Sequence, residues 1–79
     1  MMNPQHLIKM ANAIGDFFSA MPDQEQAARD AASHLKRFWE KRMQKSFFDY
    51  IKANGDGELK PIMKRALTFM DEELGAYHG

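Results

Sequence analysis

The sequence predicts an all-α fold, a small antiparallel bundle of three to four helices. Three observations carry that prediction. Apolar residues recur at spacings of three and four, the helical period, along most of the chain. No segment shows the period-two alternation of a half-buried strand. Helix-breaking signals gather at a few points: Asn3-Pro4, Pro22-Asp23, Asn54-Gly55-Asp56-Gly57 and Pro61. There are no internal repeats and no low-complexity stretch.

The first helix is predicted over about 4–20. Asn3 can cap the free amides of its first turn, and Pro4 fits that turn without losing a hydrogen bond. Leu7, Met10, Ala11, Ile14, Phe17, Phe18 and Met21 form its apolar stripe. Gly15 weakens the helix by about 1 kcal/mol relative to Ala, but its missing side chain leaves room for a second helix to come close. Pro22 ends the run.

Asp23 is a good N-cap for the next segment, and Gln26 follows three residues later, the spacing of a capping box. Ala27, Ala28, Ala31 and Ala32 make a thin face suited to tight packing. The face then thickens through Leu35, Phe38, Trp39, Met43, Phe47, Tyr50 and Ile51. No Pro or Gly occurs between Asp23 and Asn54. The expectation is one long helix over about 23–53, or two abutting ones with a bend near Glu40. Gly55 can supply the left-handed residue that ends it. A last helix is predicted over about 61–75, with Ile62, Met63, Ala66, Leu67, Met70 and Leu74 as its apolar face. Asp71, Glu72 and Glu73 lie near its C-terminal end, where the macrodipole disfavours negative charge, so that end is expected to fray or to meet a basic partner.

Composition bounds the function. The 79 residues suffice for a single domain, 1–79, and 44% are hydrophobic. Eleven Lys/Arg balance eleven Asp/Glu. That balance weighs against a globally basic nucleic-acid binder. With no cysteine, disulfides, thiolate zinc sites, Cys-ligated iron–sulfur clusters and thiol catalysis are excluded. No apolar run approaches the roughly 18 residues of a membrane span. The N-terminus lacks the charged start and apolar stretch of a secretory signal, so a cytoplasmic protein is expected. Seven Met and six Phe are the unusual feature. They suit either a Met-padded core or an adaptable contact surface.

No constellation for catalysis stands out. His6, His34 and His78 are far apart in sequence, and no pair has the i, i+4 spacing of a helical zinc site. Asn54, Asp56 and Glu58 alternate with Gly as in a calcium loop, but Lys60 and Pro61 interrupt that pattern. Ser19, Ser33 and Ser46 sit in no nucleophile elbow, and no glycine-rich phosphate loop exists. No catalytic, cofactor-binding or metal-ligating residue is therefore expected. The pronounced charge cluster is Lys36, Arg37, Lys41, Arg42 and Lys45 with Glu40, a net +4 in a chain whose total is zero. On a continuous helix Arg37, Lys41 and Lys45 would share one stripe. Phe38 and Trp39 are interleaved. Three readings stay open: a protein interface anchored by Trp and Arg, core aromatics beneath a solvated basic face, and a nucleic-acid patch.

Two stretches carry a family resemblance: His6-Leu7-Ile8-Lys9-Met10-Ala11-Asn12-Ala13-Ile14-Gly15-Asp16-Phe17-Phe18 and His34-Leu35-Lys36-Arg37-Phe38-Trp39-Glu40-Lys41-Arg42-Met43. Together they resemble the small delta subunit of NAD-dependent, molybdenum-containing formate dehydrogenases. That family is expected to show a Met-Ala-Asn-x-Ile segment before a Phe pair, then His-x-x-x-Phe-Trp-x-x-Arg-Met. Leu59-Lys60-Pro61-Ile62 with Ala66-Leu67 looks like its last helix. The similarity covers nearly the whole chain, and Phe-Trp-Glu-x-Arg-Met is its specific part. There are two departures. Lys41 stands where the family often has Pro; Pro would break the helix after Trp39, and Lys does not force a break. Lys60 stands where a capping Ser is more usual.

The resemblance implies an accessory subunit that carries no cofactor and does no chemistry. The parent enzyme oxidises formate to carbon dioxide and passes the electrons to NAD+. Its molybdenum–pterin, iron–sulfur clusters and FMN are expected in the other subunits, which would be this chain's partners, the large molybdenum-binding one first among them. The role implied is support of assembly, stability or activity. The expected partner-interface residues are Arg37, Phe38, Trp39, Arg42 and Met43, from their aromatic, basic and Met composition and their coincidence with the motif. Trp39 is either an anchor filling a partner's pocket or part of the core. The alternatives are a self-associating helical bundle, in which the Met/Phe excess is a homo-oligomer interface, and a nucleic-acid binder using the 36–45 patch.

Overall fold

A computed structural model describes residues 3–74, with side chains to Met70. His78 and the expected helix end at Gly75 lie outside the described residues, as do the side chains of Asp71, Glu72, Glu73 and Leu74. Four helices follow one another: α1 (Pro4–Phe18), α2 (Gln24–Phe38), α3 (Lys41–Asn54) and α4 (Pro61–Leu74). The described residues contain no strand.

Helices α1 and α2 begin at local side-chain caps. In α1 the Asn3 side chain accepts the Gln5 amide at 2.9 Å. The helix stops at Phe18, short of the expected residue 20, and the Gln24 side chain spans the turn, donating to the carbonyls of Ser19 and Met21. Leu7, Ile8, Ala11 and Gly15 are its buried residues. Phe17 lies about 200° around the helix from Gly15 and points away from the core, contrary to its place in the expected stripe. In α2 the Asp23 carboxylate accepts the Gln26 amide at 3.1 Å. The return half of the capping box is not made, because the Gln26 side chain donates to Asp30 instead.

The alanine face of α2 is fully buried through Ala27, Ala28, Ala31 and Ala32 and continues into Leu35. Short side chains let helix axes approach. The most extensive helix–helix packing in the molecule is accordingly between α2 and α4. Met63, Ala66 and Met70 of α4 are wholly buried. Gly15 of α1 does what its lack of a side chain suggested. A Cβ built there would stand 2.8 Å from Met63 Cγ and 2.9 Å from Ile62 Cγ2.

The long apolar stretch resolves into two helices. Trp39 and Glu40 are extended, with φ/ψ of −85°/134° and −62°/154°. No proline compels the break; packing does. Trp39 turns inward to 6% exposure and meets Phe47 edge to face, ring centroids 5.4 Å apart. A helix that ends there leaves carbonyls without intrahelical donors. Buried Gln44 supplies one: its Nε2 donates to the Trp39 carbonyl at 2.8 Å and more distantly to that of Lys36. Glu40 makes no side-chain cap bond to α3.

The link between α3 and α4 is held from α1. Gly55 ends α3 at φ 83°, ψ 174°, a region open essentially to glycine alone. The Asn12 side chain donates to the Glu58 carbonyl at 3.0 Å and accepts the Lys60 amide at 2.9 Å. One turn on, Asp16 takes the Lys60 ammonium. Lys60 gives α4 no Ser-type cap. Its backbone carbonyl accepts the first helical amides, from Met63 and Lys64, while its own N–H is satisfied by Asn12.

Candidate functional site

Among the described residues Phe17 and Phe38 are the large hydrophobic side chains that remain outside, at 77% and 69% exposure. They are joined by a row of rings. Phe17 meets Phe18 edge to face at 5.2 Å, Phe18 meets His34 at 5.9 Å, and His34 meets Phe38 at 4.7 Å, tilted. The row runs from the end of α1 to the end of α2. Helical spacing explains the α2 half: His34, Arg37 and Phe38 stand at i, i+3 and i+4 and share a face. The α1 half follows from the rotation of α1, which buries Leu7, Ile8, Ala11 and Gly15 and leaves Phe17 outward. The turn that joins the two helices adds exposed Ala20 and Pro22 and half-buried Met21. Exposed rings gathered with half-buried apolar neighbours are a feature of contact sites.

A concavity lies at the other end of α1. Asn3, His6, Leu7, Met10, Glu40, Arg42 and Met43 line an open cleft of about 450 Å³. It is floored by the apolar side chains of Leu7, Met10 and Met43 and edged by charged groups. Arg42 leans toward Glu40 at 3.8 Å, both well exposed.

The residues expected to form an interface are thus divided. Arg37 and Phe38 belong to the ring strip and are exposed. Arg42 and half-buried Met43 line the cleft. Trp39 stands in the core, which is the second of its two readings. The basic cluster is divided too, because the break at Trp39–Glu40 puts Arg37 on α2 and Lys41 and Lys45 on α3. The single stripe expected of a continuous helix is not formed. Lys45 pairs with Asp49 at 2.9 Å. Among the described residues no ion pair engages Arg37 or Lys41.

Elsewhere the polar side chains knit the helices together. Arg65 of α4 holds Glu25 of α2 with two hydrogen bonds, 3.0 and 2.6 Å. These bonds and the guanidinium charge hold the Glu25 carboxyl below its ordinary pKa. Arg29 and Arg65 lie over the ring of buried Phe69, at 4.2 and 4.8 Å from its centroid. Tyr50 donates to Glu58 and accepts from Gln5, joining α1, α3 and the last loop. Its bond to the carboxylate, then partial desolvation, pushes the phenol up from its ordinary pKa. Among the described residues no three His, Asp or Glu side chains converge as a metal site. No described helix is long and apolar enough to cross a membrane.

Sequence reasoning missed His34 and Asn12 as working residues, and it missed Gln44. The i, i+4 spacing of Asn12 and Asp16, which puts two polar side chains on one face of α1, was the available signal for the clamp on the last loop. Gln44 carried no such signal, since a polar residue between Met43 and Lys45 reads as surface.

A family model described as NADH-dependent formate dehydrogenase delta subunit, FdsD, matches residues 6–67. That range holds both ends of the ring strip, the helix break and the Asn12 clamp. No curated protein and no solved structure matches the chain.

Proposed function

The chain belongs to the delta-subunit family of NADH-dependent formate dehydrogenases, and from that membership we propose that it is a non-catalytic accessory subunit. It supports assembly, stability or activity of the complex through a protein–protein interface. The observation that carries this reading beyond the family name is the row of Phe17, Phe18, His34 and Phe38, whose two end rings are exposed. A domain with large rings in solvent gains by covering them. Of the expected contact residues, Arg37 and Phe38 carry the proposed contact on the ring strip, Arg42 and Met43 lie apart from it in the cleft, and Trp39 serves from inside by fixing the bend between α2 and α3. The partners are other subunits of the enzyme, foremost the large molybdenum-binding one. Molybdenum–pterin, iron–sulfur clusters and FMN reside in those subunits. A chain without cysteine offers clusters no thiolate. The complex is placed in the cytoplasm.

The test is capture of a tagged copy from cells that express the enzyme, with mass spectrometry and formate-dependent NAD+ reduction on the eluate. Co-elution of formate dehydrogenase subunits with activity is expected. Elution of the tagged chain alone, from cells with demonstrated activity, would overturn a resident role. Deleting the chain should lower the yield of active complex while leaving the KM for formate of the surviving enzyme unchanged. A changed KM would place the chain at the substrate site.

A further inference from the structure

Resting on the accessory-subunit reading, we infer that the ring strip at the end of α1 and α2 is the docking face, and that its occupant is an apolar segment bordered by carboxylates on another subunit of the enzyme. The strip offers three rings and an imidazole in unbroken contact over two helices. Its outer members, Phe17 and Phe38, are the most exposed large hydrophobic side chains of the described structure. Fixed rings lose little conformational freedom on binding, so they serve as anchors.

Charge selects among the occupants. Arg37 shares the face of His34 and Phe38 by helical spacing, and no ion pair engages it among the described residues. A guanidinium at the rim of an apolar patch is matched by a carboxylate across it, often in a two-pronged contact. A second copy of this chain fits worse. A two-fold dimer through the strip would lay the same patch on itself, and the strip's own members, three Phe, His34 and Arg37, include no carboxylate to face Arg37. A single-stranded nucleic acid also fits worse, because the rings meet one another edge to face or tilted and present no series of parallel plates for stacked bases. The cleft lined by Arg42 is the competing location. It already has its own carboxylate at the rim, Glu40.

The test uses the full chain co-expressed with the enzyme's other subunits, tagged, as wild type and as Phe17→Ser, Phe38→Ser, Arg37→Glu and Arg42→Ala. Helicity by circular dichroism should be the same for all, since every altered side chain is exposed. Phe38→Ser and Arg37→Glu should each lower the captured subunits by about tenfold or more, and Phe17→Ser should act in the same direction. Arg42→Ala should capture as well as wild type. Equal capture by all the strip variants, with wild type positive, would overturn the inference and leave the accessory role standing. Loss with Arg42→Ala alone would move docking to the cleft. Failure of wild type itself would overturn the accessory reading. A wild-type dimer in light scattering that Phe38→Ser dissolves would make the occupant a second copy, and steeply salt-dependent retention on single-stranded DNA that Arg37→Glu removes would make it a nucleic acid. Either outcome overturns the inference.

Discussion

Phe38 and Trp39 are adjacent in the chain and end in opposite environments. Phe38 closes α2 and stands 69% exposed beside His34. Trp39 leaves the helix and is 6% exposed against Phe47. Two regions grow from these neighbours. Around Trp39 the ring is packed in the core and Gln44 donates to the freed carbonyl. Around Phe38 rings touch rings, yet their outer faces meet water. The first region has the properties of a finished core and the second those of a surface that a partner completes. One residue of sequence separates them because successive helical positions differ by about 100° in direction. The break at Trp39 widens that difference.

The most damaging way to probe the difference is Trp39→Ala. Removing a large buried aromatic costs about 3–5 kcal/mol, against a total stability of about 5–15 kcal/mol for an ordinary domain. Circular dichroism and urea titration should therefore show a domain largely unfolded or close to it. A folded variant with wild-type midpoint would mean that Trp39 is no part of the core. Gln44→Ala acts on the same region with less force. It leaves the Trp39 carbonyl without its side-chain donor, for a loss of about 1–3 kcal/mol in urea unfolding. The Glu25–Arg65 pair sharpens the comparison from the far side, as a polar contact that is half exposed. The folded state lowers the Glu25 pKa, so its contribution is present above the ordinary glutamate pKa and is lost as pH falls through the lower folded value. Glu25→Gln should flatten the acid limb of a plot of urea midpoint against pH. An unchanged acid limb would show that the pair adds nothing. The smallest expected effect on the fold is that of Phe38→Ser, within about 0.5 kcal/mol of wild type. A loss as large as that of Trp39→Ala would erase the distinction between the two residues.

The fold was largely legible in the residues. Asn3 and Asp23 announced caps that the structure contains, Gly15 announced a close approach, and Gly55 announced a helix end with positive φ. These are local rules, and local rules can be read one residue at a time. The break after Phe38 was legible only as a choice between a straight and a bent helix. What decides it is tertiary: a pocket for Trp39 beside Phe47, and Gln44 in reach of the carbonyl. The contact set was legible in part. Composition singled out the stretch 37–43 but could not say which way each side chain faces. Arg37 and Phe38 went outward, Trp39 went inward, and Arg42 and Met43 went to a separate cleft. Phe17 was hidden by its own hydrophobicity, since an apolar residue at helical spacing is taken for core. Only the rotation of α1 about its axis, which turns Leu7, Ile8, Ala11 and Gly15 inward, reveals it as surface.

The central claim is that the outer of the two neighbouring aromatics touches another subunit. The most direct measurement replaces Phe38 with the photocrosslinker p-benzoylphenylalanine in the full chain, irradiates the purified formate dehydrogenase complex and identifies the adduct by mass spectrometry. The expected product joins position 38 to a different subunit, at a segment carrying apolar residues and carboxylates. Co-purification without any crosslink from position 38, or crosslinks only between copies of this chain, would contradict it.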